Sequence, residues 1–386
     1  MNEIVLKAVL WTALGWVAYT YALYPLTIAL LGRKRSDATG APAFAGTISI
    51  VIAACNEEGV IAARVQELLR LITVSGLVGE IIVVSDGSVD ATASRANGTS
   101  DRRVQVISLP VNVGKAAALS RGCAAAKGDV LVFADVRQRW NQETLPNLLR
   151  NFSCPTVGGA SGELMIEDPS GKLSGVGLYW RYEKWIRRNE GRVHSTVGVT
   201  GSVCAVRRNL FTPIPERTLL DDVYWPMQVV MHGYRVVHDS SALAFDRLPP
   251  NAKDEFRRKV RTLSGNFQLC ARLPQTLLPW RNPVWIQFVS HKIMRLFVPW
   301  ALLTVLFCSL ILSGWLYSLI LYSQLILYSA GIAGLTRGTV LHTRITGALA
   351  AFLILNAAAW LAFWVWCTGR CESSWSKVNY LRNTPA

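Results

Sequence analysis

The chain has 386 residues, of which 51% are hydrophobic, 10% aromatic and only 17% charged, with a net charge of +15. Its richness in Trp, Val, Ile and Leu excludes a disordered protein, and charge-free runs over residues 8–32, 296–336 and 345–369 exclude a wholly soluble one. Of its 65 charges, 57 lie between Arg33 and Arg295, so the centre is polar enough and long enough for a core of its own, which argues against a simple channel.

A bilayer core of about 30 Å takes about 20 helical residues. Residues 1–35 therefore read as one N-terminal transmembrane helix, too long and too aromatic for a signal-peptide core and followed by no small-residue cleavage site. Arg33-Lys34-Arg35 comes next, and the positive-inside rule then places the centre in the cytoplasm, beneath an inner (plasma) membrane crossed several times. The short loop with Arg337, His342 and Arg344 fits that orientation, whereas Arg370, Lys377 and Arg382 fall on the outer side.

Residues 36–46 are rich in Gly, Ala and Pro and read as a linker. A soluble domain is expected over 47–275. Its first half alternates short apolar strands, at residues 48–54, 81–85, 104–108 and 130–134, with helical stretches at 57–71, 90–96, 115–126 and 142–150. Near-continuous Val/Ile strands separated by helices predict a parallel sheet covered on both faces. A helix around residues 180–188 carries Trp180, Tyr182 and Trp185 beside Arg181, Lys184, Arg187 and Arg188, an amphipathic element on the acceptor or membrane side.

Residues 280–295 follow, and Trp285, Phe288, Val289 and the stem of Lys292 share a helical face there. This predicts a helix lying on the membrane surface; a frayed start of the next span is the alternative. Residues 296–369 hold three spans, the first two turning near Ser313-Gly314, and 370–386 form a tail. The centre alone carries a charge of +11, suited to anionic headgroups and phosphate-rich substrates. No basic stripe with interleaved aromatics stands apart from the membrane flanks, so nucleic acid is not an expected partner. The eight cysteines form no CxxC pair and no Cys/His cluster, which suggests neither a zinc site nor a disulfide framework.

In a parallel α/β sheet, ligands bind at the carboxyl ends of the strands. There the sequence places Asn56-Glu57-Glu58, Asp86-Gly87-Ser88, Asn112-Val113-Gly114-Lys115 and Asp135-Val136-Arg137. Each alone reads equally well as a turn or helix cap. Together they make a polar rim that the sheet's packing does not require, and they suit a nucleotide: carboxylates for base and ribose, Lys for charge, and Asp for a metal-bridged diphosphate.

The ordered blocks IVIAACNEE, IIVVSDGSVDAT, NVGKAAALSRG, VLVFADVRQR, GVTGSVCAVRRNLF, LLDDVYWPMQVVMHGYRVV and KDEFRRKVRTLSGNFQL resemble family 2 of the inverting glycosyltransferases. They are most similar to its membrane-bound branch of cellulose, chitin and hyaluronan synthases. The resemblance implies an α/β domain of GT-A type, Rossmann-like, inserted between one N-terminal and about three C-terminal transmembrane helices. It implies a nucleotide-sugar donor (a UDP-sugar) and Mg²⁺ or Mn²⁺ as cofactors.

Carried over position by position, Asp86 would contact the base or ribose, Lys115 would be a second nucleotide contact, and Asn56 and Glu57 would belong to the same pocket. Asp135 would hold the metal. Asp222, with Asp221 beside it, would be the catalytic base, and Gly201-Ser202 would lie against the acceptor. Arg258 and Arg261, on one helical face at i, i+3, would stand beside the diphosphate.

Three departures from the family pattern stand out. The opening block has Ala53 and Cys55 where Pro and Tyr are usual, and the second acid of Asp-x-Asp is Arg137. The Gln-x-x-Arg-Trp block becomes Arg258-Lys259-Val260-Arg261-Thr262, which loses the aromatic that supports an acceptor in polymer synthases. Phe267 or Trp280 are the aromatics left to substitute. A metal on Asp135 would then rest on donor, water or Gln138 oxygens, and Arg137 facing the site would supply part of the missing charge.

The leading expectation is extension of an exopolysaccharide or capsule-type glycan. Transfer of one sugar to a polyprenyl-phosphate or glycolipid acceptor is its rival, and a non-catalytic nucleotide-sugar-binding scaffold is the alternative of another class. Expected partners are the nucleotide sugar, a glycan or lipid-linked acceptor and membrane lipids, with a homo-oligomer or export partner left open. His238-Asp239 reads as a polar strand end rather than a metal site.

Overall fold

The structure is a computed structural model and describes residues 2–33, 44–167, 178–247, 252–335 and 343–370. Lys34, Arg35, most of the expected linker, Arg337, His342 and the tail beyond Arg370 lie outside the described residues.

The chain opens with α1 (Glu3–Gly32), a continuous helix broken in register by one π turn just before Pro25. The central domain follows: β1 (Thr47–Ala54), α2 (Ile61–Val74), β2 (Val78–Asp86), α3 (Thr92–Asn97), β3 (Val104–Leu109), α4 (Lys115–Ala125) and β4 (Val130–Ala134). Its second half holds β5 (Arg139–Trp140), α5 (Thr144–Leu149), β6 (Val157–Glu167), α6 (Leu178–Val193), β7 (Val203–Arg207), α7 (Asp221–Met231), β8 (Arg235–Arg247) and α8 (Ala252–Arg272).

All strands join one eight-stranded sheet in the order β3-β2-β1-β4-β7-β6-β8-β5. The first four pair in parallel, as the buried Val/Ile runs require, since both of their faces lie under helices. The expectation of a purely parallel sheet is corrected beyond them. β7 runs antiparallel to both β4 and β6, so the sheet is mixed and the fold is of GT-A type, Rossmann-like in its first half. One core, on the side of α4 and α7, packs Val51, Val84, Leu131 and Phe133 on Trp225 and Met227. The other, under α2 and α5, packs Ile50, Ile52 and Val132 on Leu68 and Leu148.

Helix starts shift too. Residues 57–60 form a turn and α2 begins at Ile61, because the backbone N–H groups of Glu57 and Glu58 bond side chains across the sheet edge, to Thr92 at 2.7 Å and Asp90 at 3.3 Å.

Beyond α8 come α9 (Trp285–Ile311), α10 (Trp315–Ala333) and α11 (Arg344–Cys367). With α1 they make four helices, among the described residues, that are long and apolar enough to cross a membrane, and α9 and α10 turn at residues 312–314 as expected. The separate surface helix over 280–295 is not seen: Trp285 starts a helix that runs unbroken through one π turn into the apolar stretch. His291 and Arg295 in this stretch are drawn into contacts with α6. His291 Nδ1 lies 2.8 Å from Glu190 Oε1, its Nε2 lies 3.0 Å from Glu183 Oε2, and Arg295 pairs with Glu183. Tyr24 of α1 donates to the same Glu190, and Tyr19 shares a 2.8 Å hydrogen bond with Ser290.

This network fastens the domain to two spans. Burial opposes the charge of Glu183, yet Arg295 and His291 outweigh it and hold the carboxyl well below the usual range. Removing one partner of such a buried pair costs about 3–5 kcal/mol, because the other is left uncompensated. Glu183→Gln should therefore lower the unfolding temperature in detergent clearly, whereas Arg257→Ala, which removes an exposed partner of Asp254, should leave it unchanged.

Candidate active site

The carboxyl ends of the first three parallel strands are stitched to one another. Asn56 adopts φ +49°, a left-handed conformation costly for a residue with a side chain. Its Oδ1 accepts from Val89 N at 2.8 Å, and its own N–H donates to Ser88 Oγ at 3.1 Å. Gly87, at φ +60°, lets residues 111–112 approach so closely that a Cβ there would stand 2.3 Å from Asn112 N.

Asp86 is fully buried, with Oδ1 accepting from Val113 N at 2.7 Å and Oδ2 from Gly114 N at 2.9 Å. Burial raises its carboxyl pKa, and those two N–H groups offset part of the rise. Asp86 thus gives one bond from each oxygen to the loop that presents Lys115, and the remaining lone pairs are what it would offer to a base or ribose.

Lys115, at the start of α4, forms a 2.7 Å ion pair with Asp135 Oδ1 at the end of β4. Burial works against the ammonium, but Asp135, Asp221 and Asp222 outweigh it and raise its pKa. Asp221 and Asp222 form the first turn of α7, where the helix dipole favours acids. The backbone carbonyl of Asp222 accepts from Val199 N at 2.8 Å, tying α7 to the Gly201 turn. A Cβ on Gly201 would stand 3.7 Å from both Asp222 Cβ and Lys115 Nζ. Lys115, Asp135, Asp221, Asp222 and Gly201 therefore meet in one place. Ser202 follows, buried, with a hydroxyl that has no partner among the described residues.

Burial first, and then Asp221, raise the carboxyl of Asp222 to about 6, with Lys292, Lys115 and Arg187 pulling the other way. Such a group accepts a proton near neutrality. If Asp222 is the base, activity is retained above about pH 6, where it is ionised, and falls below it as the carboxyl protonates. A kcat/KM profile with an acid limb near that pH is the expected result; a flat profile down to pH 5 would contradict the role.

The remaining candidates separate. Arg137 pairs with Glu57 at 2.9 Å, so its charge answers an acid of the rim. Gln138 donates from Nε2 to Asp246 at 2.9 Å, and its buried Oε1, the atom that would reach a metal, has no partner among the described residues. Arg258 and Arg261 are exposed on α8 and make no ion pair among the described residues. The face of α8 that packs is the one bearing Val260, against Ala358 and Ala362, and Gly265, against Leu219 and Leu220.

Phe267 is buried against Phe297, Phe363 and Trp366, and Trp280 is 75% exposed in a loop, so Phe267 is packing among the spans, and no contact ties Trp280 to the site. His238 lies inside β8, 3.4 Å from Glu163, and Asp239 is held by Arg150 at 3.0 Å; neither joins a metal cluster.

Among the described residues no group of three or more His, Cys, Asp or Glu side chains is arranged to hold a metal. Asp135 still fits one: Lys115 occupies only its Oδ1, and Oδ2 has no protein partner among the described residues. A hard divalent cation bound mainly through a diphosphate and water needs only one or two protein carboxylates.

Two residues missed in sequence reasoning brace this geometry. Arg64, 3% exposed in α2, donates from Nε to the backbone carbonyl of Asp135 at 3.1 Å and lies over the Trp140 ring at 4.9 Å. Trp140 Nε1 in turn donates to Ser202 O at 3.1 Å, linking the Asp135 loop to the turn after Gly201. The available signal was a single Arg on the apolar face of α2, among Ile61, Val65 and Leu68.

Comparison with known proteins places this geometry. Residues 49–212 match the model of glycosyl transferase family 2. A 93-residue stretch is 43% identical to glucosyl-3-phosphoglycerate synthase of Mycobacterium tuberculosis, covering 23% of this chain and 28% of that protein. Poly-beta-1,6-N-acetyl-D-glucosamine synthase of Staphylococcus aureus is 23% identical over 265 residues, 65% of this chain and 62% of that protein. The chain thus spans between about a quarter and three fifths of the length of these relatives. Among solved structures, a mannosyltransferase from Pyrobaculum calidifontis, determined with GDP-Man and Mn²⁺, superimposes with a TM-score of 0.70 at 19% identity, over 95% of this chain and 99% of that one. At that identity the likeness is one of fold. The Asp86, Asp135 and Gly201 elements all fall inside the matched segment, and residues 49–212 are a glycosyl transferase family 2 domain.

Proposed function

We propose that the chain is a membrane-bound inverting glycosyltransferase that moves a sugar from a nucleotide-sugar donor, a UDP-sugar, to a lipid-linked acceptor at the cytoplasmic face of the inner membrane. The observation that carries this reading is the meeting of Lys115, Asp135 and Asp222 at the sheet edge of a family 2 domain anchored by α1 and α9.

Asp135 Oδ2, with the donor diphosphate, would hold Mg²⁺ or Mn²⁺, as suits the metal and nucleotide sugar named for the mannosyltransferase neighbour. Such an ion neutralises charge gathering on the departing diphosphate. Lys115 lies between Asp135 and Asp222 and keeps the two acids from repelling an anionic donor. Asp222 takes the proton of the acceptor hydroxyl; the oxygen attacks the anomeric carbon, the bond from that carbon to the diphosphate breaks, and the nucleoside diphosphate leaves with the electron pair. Gly201, without a side chain, leaves room for the acceptor against Asp222. The scaffold reading loses ground because both acids are kept and face the same space.

Extension of an exopolysaccharide or capsule-type glycan is the second reading. It is favoured by the match to the poly-N-acetylglucosamine synthase over 65% of this chain. The burial of Phe267 among the spans weakens it, since among the described residues no aromatic platform replaces the missing Trp there.

The two readings separate by product mass. With labelled donor and native lipid extract, one sugar in the organic phase supports lipid-linked transfer. A water-soluble ladder of sugars would support extension, and label left wholly on the nucleotide would contradict both.

A further inference from the structure

By length and composition α11 could be a span. It has 24 residues, is uncharged after its first, and is about 36 Å long. A helix that crosses a hydrocarbon core of about 30 Å carries its two ends to opposite surfaces. The contacts of α11 do not follow that course.

Depth is read along α9, which leaves the domain at Arg295, paired with Glu183 of α6, and runs away from it to Ile311. α10 returns alongside. Its Tyr317 packs on Leu6 and Leu312 at the far end, and Gln324 then donates to the carbonyl of Leu302 at 2.9 Å. Gly334, just past the last residue of α10, is therefore back near the domain.

α11 begins there, since a Cβ on Gly334 would stand 2.1 Å from the Thr346 carbonyl oxygen. Midway, Phe352 meets Tyr21 edge-on at 5.3 Å between ring centres, and the Arg295 guanidinium lies over the same Tyr21 ring at 5.6 Å. Toward its end, Ala358 and Ala362 pack on Val260 of α8, and Trp366 stacks on Phe267 of α8 at 5.4 Å. Trp360 and Phe363 meet Trp300, which stands about 8 Å along α9 from Arg295 and leaves about 16 Å of that helix beyond it. Start, middle and end of α11 thus all lie on the domain's side of the bundle. α8 confirms which side that is: it exposes Arg257, Arg258 and Arg261, charges that hydrocarbon does not accept.

The faces of α11 agree. One packs on α8 and another on α9, while Ala357, Leu361 and Trp364 form an exposed row at i, i+4 and i+7, with Leu361 42% and Trp364 48% exposed. A helix without charge over residues 345–367 has no face suited to water, and this row stands beside two membrane helices, so acyl chains cover it.

Charge is an independent indication. With α11 as a crossing, Arg370, Lys377 and Arg382 would emerge opposite the domain, against the positive-inside rule. Without that crossing they fall on the same side as Arg33-Lys34-Arg35, Arg337 and Arg344.

We infer that α11 does not cross the membrane: it lies along the leaflet next to the domain, with Ala357, Leu361 and Trp364 among the acyl chains and α8 on another side. Among the described helices α1, α9 and α10 are then the crossings, and Arg370 emerges on the domain's side. The inference rests on those three helices crossing a bilayer and is independent of the chemistry at Asp222. It gives the domain a lipid-facing strut that sets it against the membrane surface.

The test places reporters on the full chain in bacterial cells. Alkaline phosphatase, active outside the cytoplasm, and green fluorescent protein, fluorescent inside it, are each inserted between Ser313 and Gly314 and each fused after Ala386. Only α10 crosses between the two positions, so they should report opposite sides, with phosphatase activity present at the turn and lost at the C-terminus. Both positions reporting one side would overturn the inference. Leu361→p-benzoylphenylalanine and Trp364→p-benzoylphenylalanine then test the cover of the free row. Irradiation in membranes should add the mass of a phospholipid to the chain at both positions. A covalent dimer in place of lipid adducts would overturn the acyl-chain cover in favour of a second copy, and the absence of any adduct at both positions would overturn it outright.

Discussion

Replacing Asp222 with Asn should lower the rate of sugar transfer by about 10²–10⁴-fold, the usual contribution of a positioned general base. The change is nearly isosteric, and the structural duty of this position falls on the backbone carbonyl that accepts from Val199 N, which Asn retains. Donor affinity should therefore hold while kcat falls, a split that marks loss of an interaction made only in the transition state. Asp221→Asn offers the contrast. Its charge helps to raise the Asp222 carboxyl, so removing it should move the acid limb of the pH profile to lower pH rather than abolish turnover. Initial rates and donor Kd for the two variants decide this; a kcat unchanged in Asp222→Asn would remove the base from the account.

The second large effect is expected at Asp135. Asp135→Asn removes the carboxylate proposed to hold the metal and leaves Lys115 without its 2.7 Å partner, though Asp221 and Asp222 remain near that ammonium. Divalent-ion enhancement of nucleotide-sugar binding should be lost, about 10²-fold or more, since one protein ligand carries the ion. Calorimetric titration of the donor with and without Mn²⁺ measures this. Undiminished enhancement in the variant would mean that the ion is held elsewhere.

The sequence made the parallel half of the sheet legible because β1, β2 and β4 are buried on both faces and read as unbroken apolar runs. The antiparallel half was harder. β6 begins Val-Gly-Gly-Ala-Ser-Gly and β8 carries His238, Asp239, Ser240 and Ser241, so neither shows an apolar run; their pairing is fixed by neighbours distant in sequence. The polar rim was visible, but not which oxygens the protein itself consumes. Asp86 gave no sign of its bonds because its partners are backbone N–H groups, which leave no mark in side-chain pattern.

The helix over 280–295 read as a surface element for a similar reason. The acids that hold its His291 and Arg295 sit on α6, and Arg295 and Glu183 are 112 positions apart. Arg258 and Arg261 were chosen by helical spacing, which gives a shared face but not what that face meets.

The most direct measurement is nucleoside diphosphate release by the full chain in lipid nanodiscs, across a panel of UDP- and GDP-sugars with Mn²⁺. Release from one donor, dependent on added membrane lipid and absent in Asp222→Asn, is the predicted result. If donors bind but none turns over with any lipid supplied, or if turnover persists without Asp222, the account of this site as a membrane-surface glycosyltransferase is contradicted.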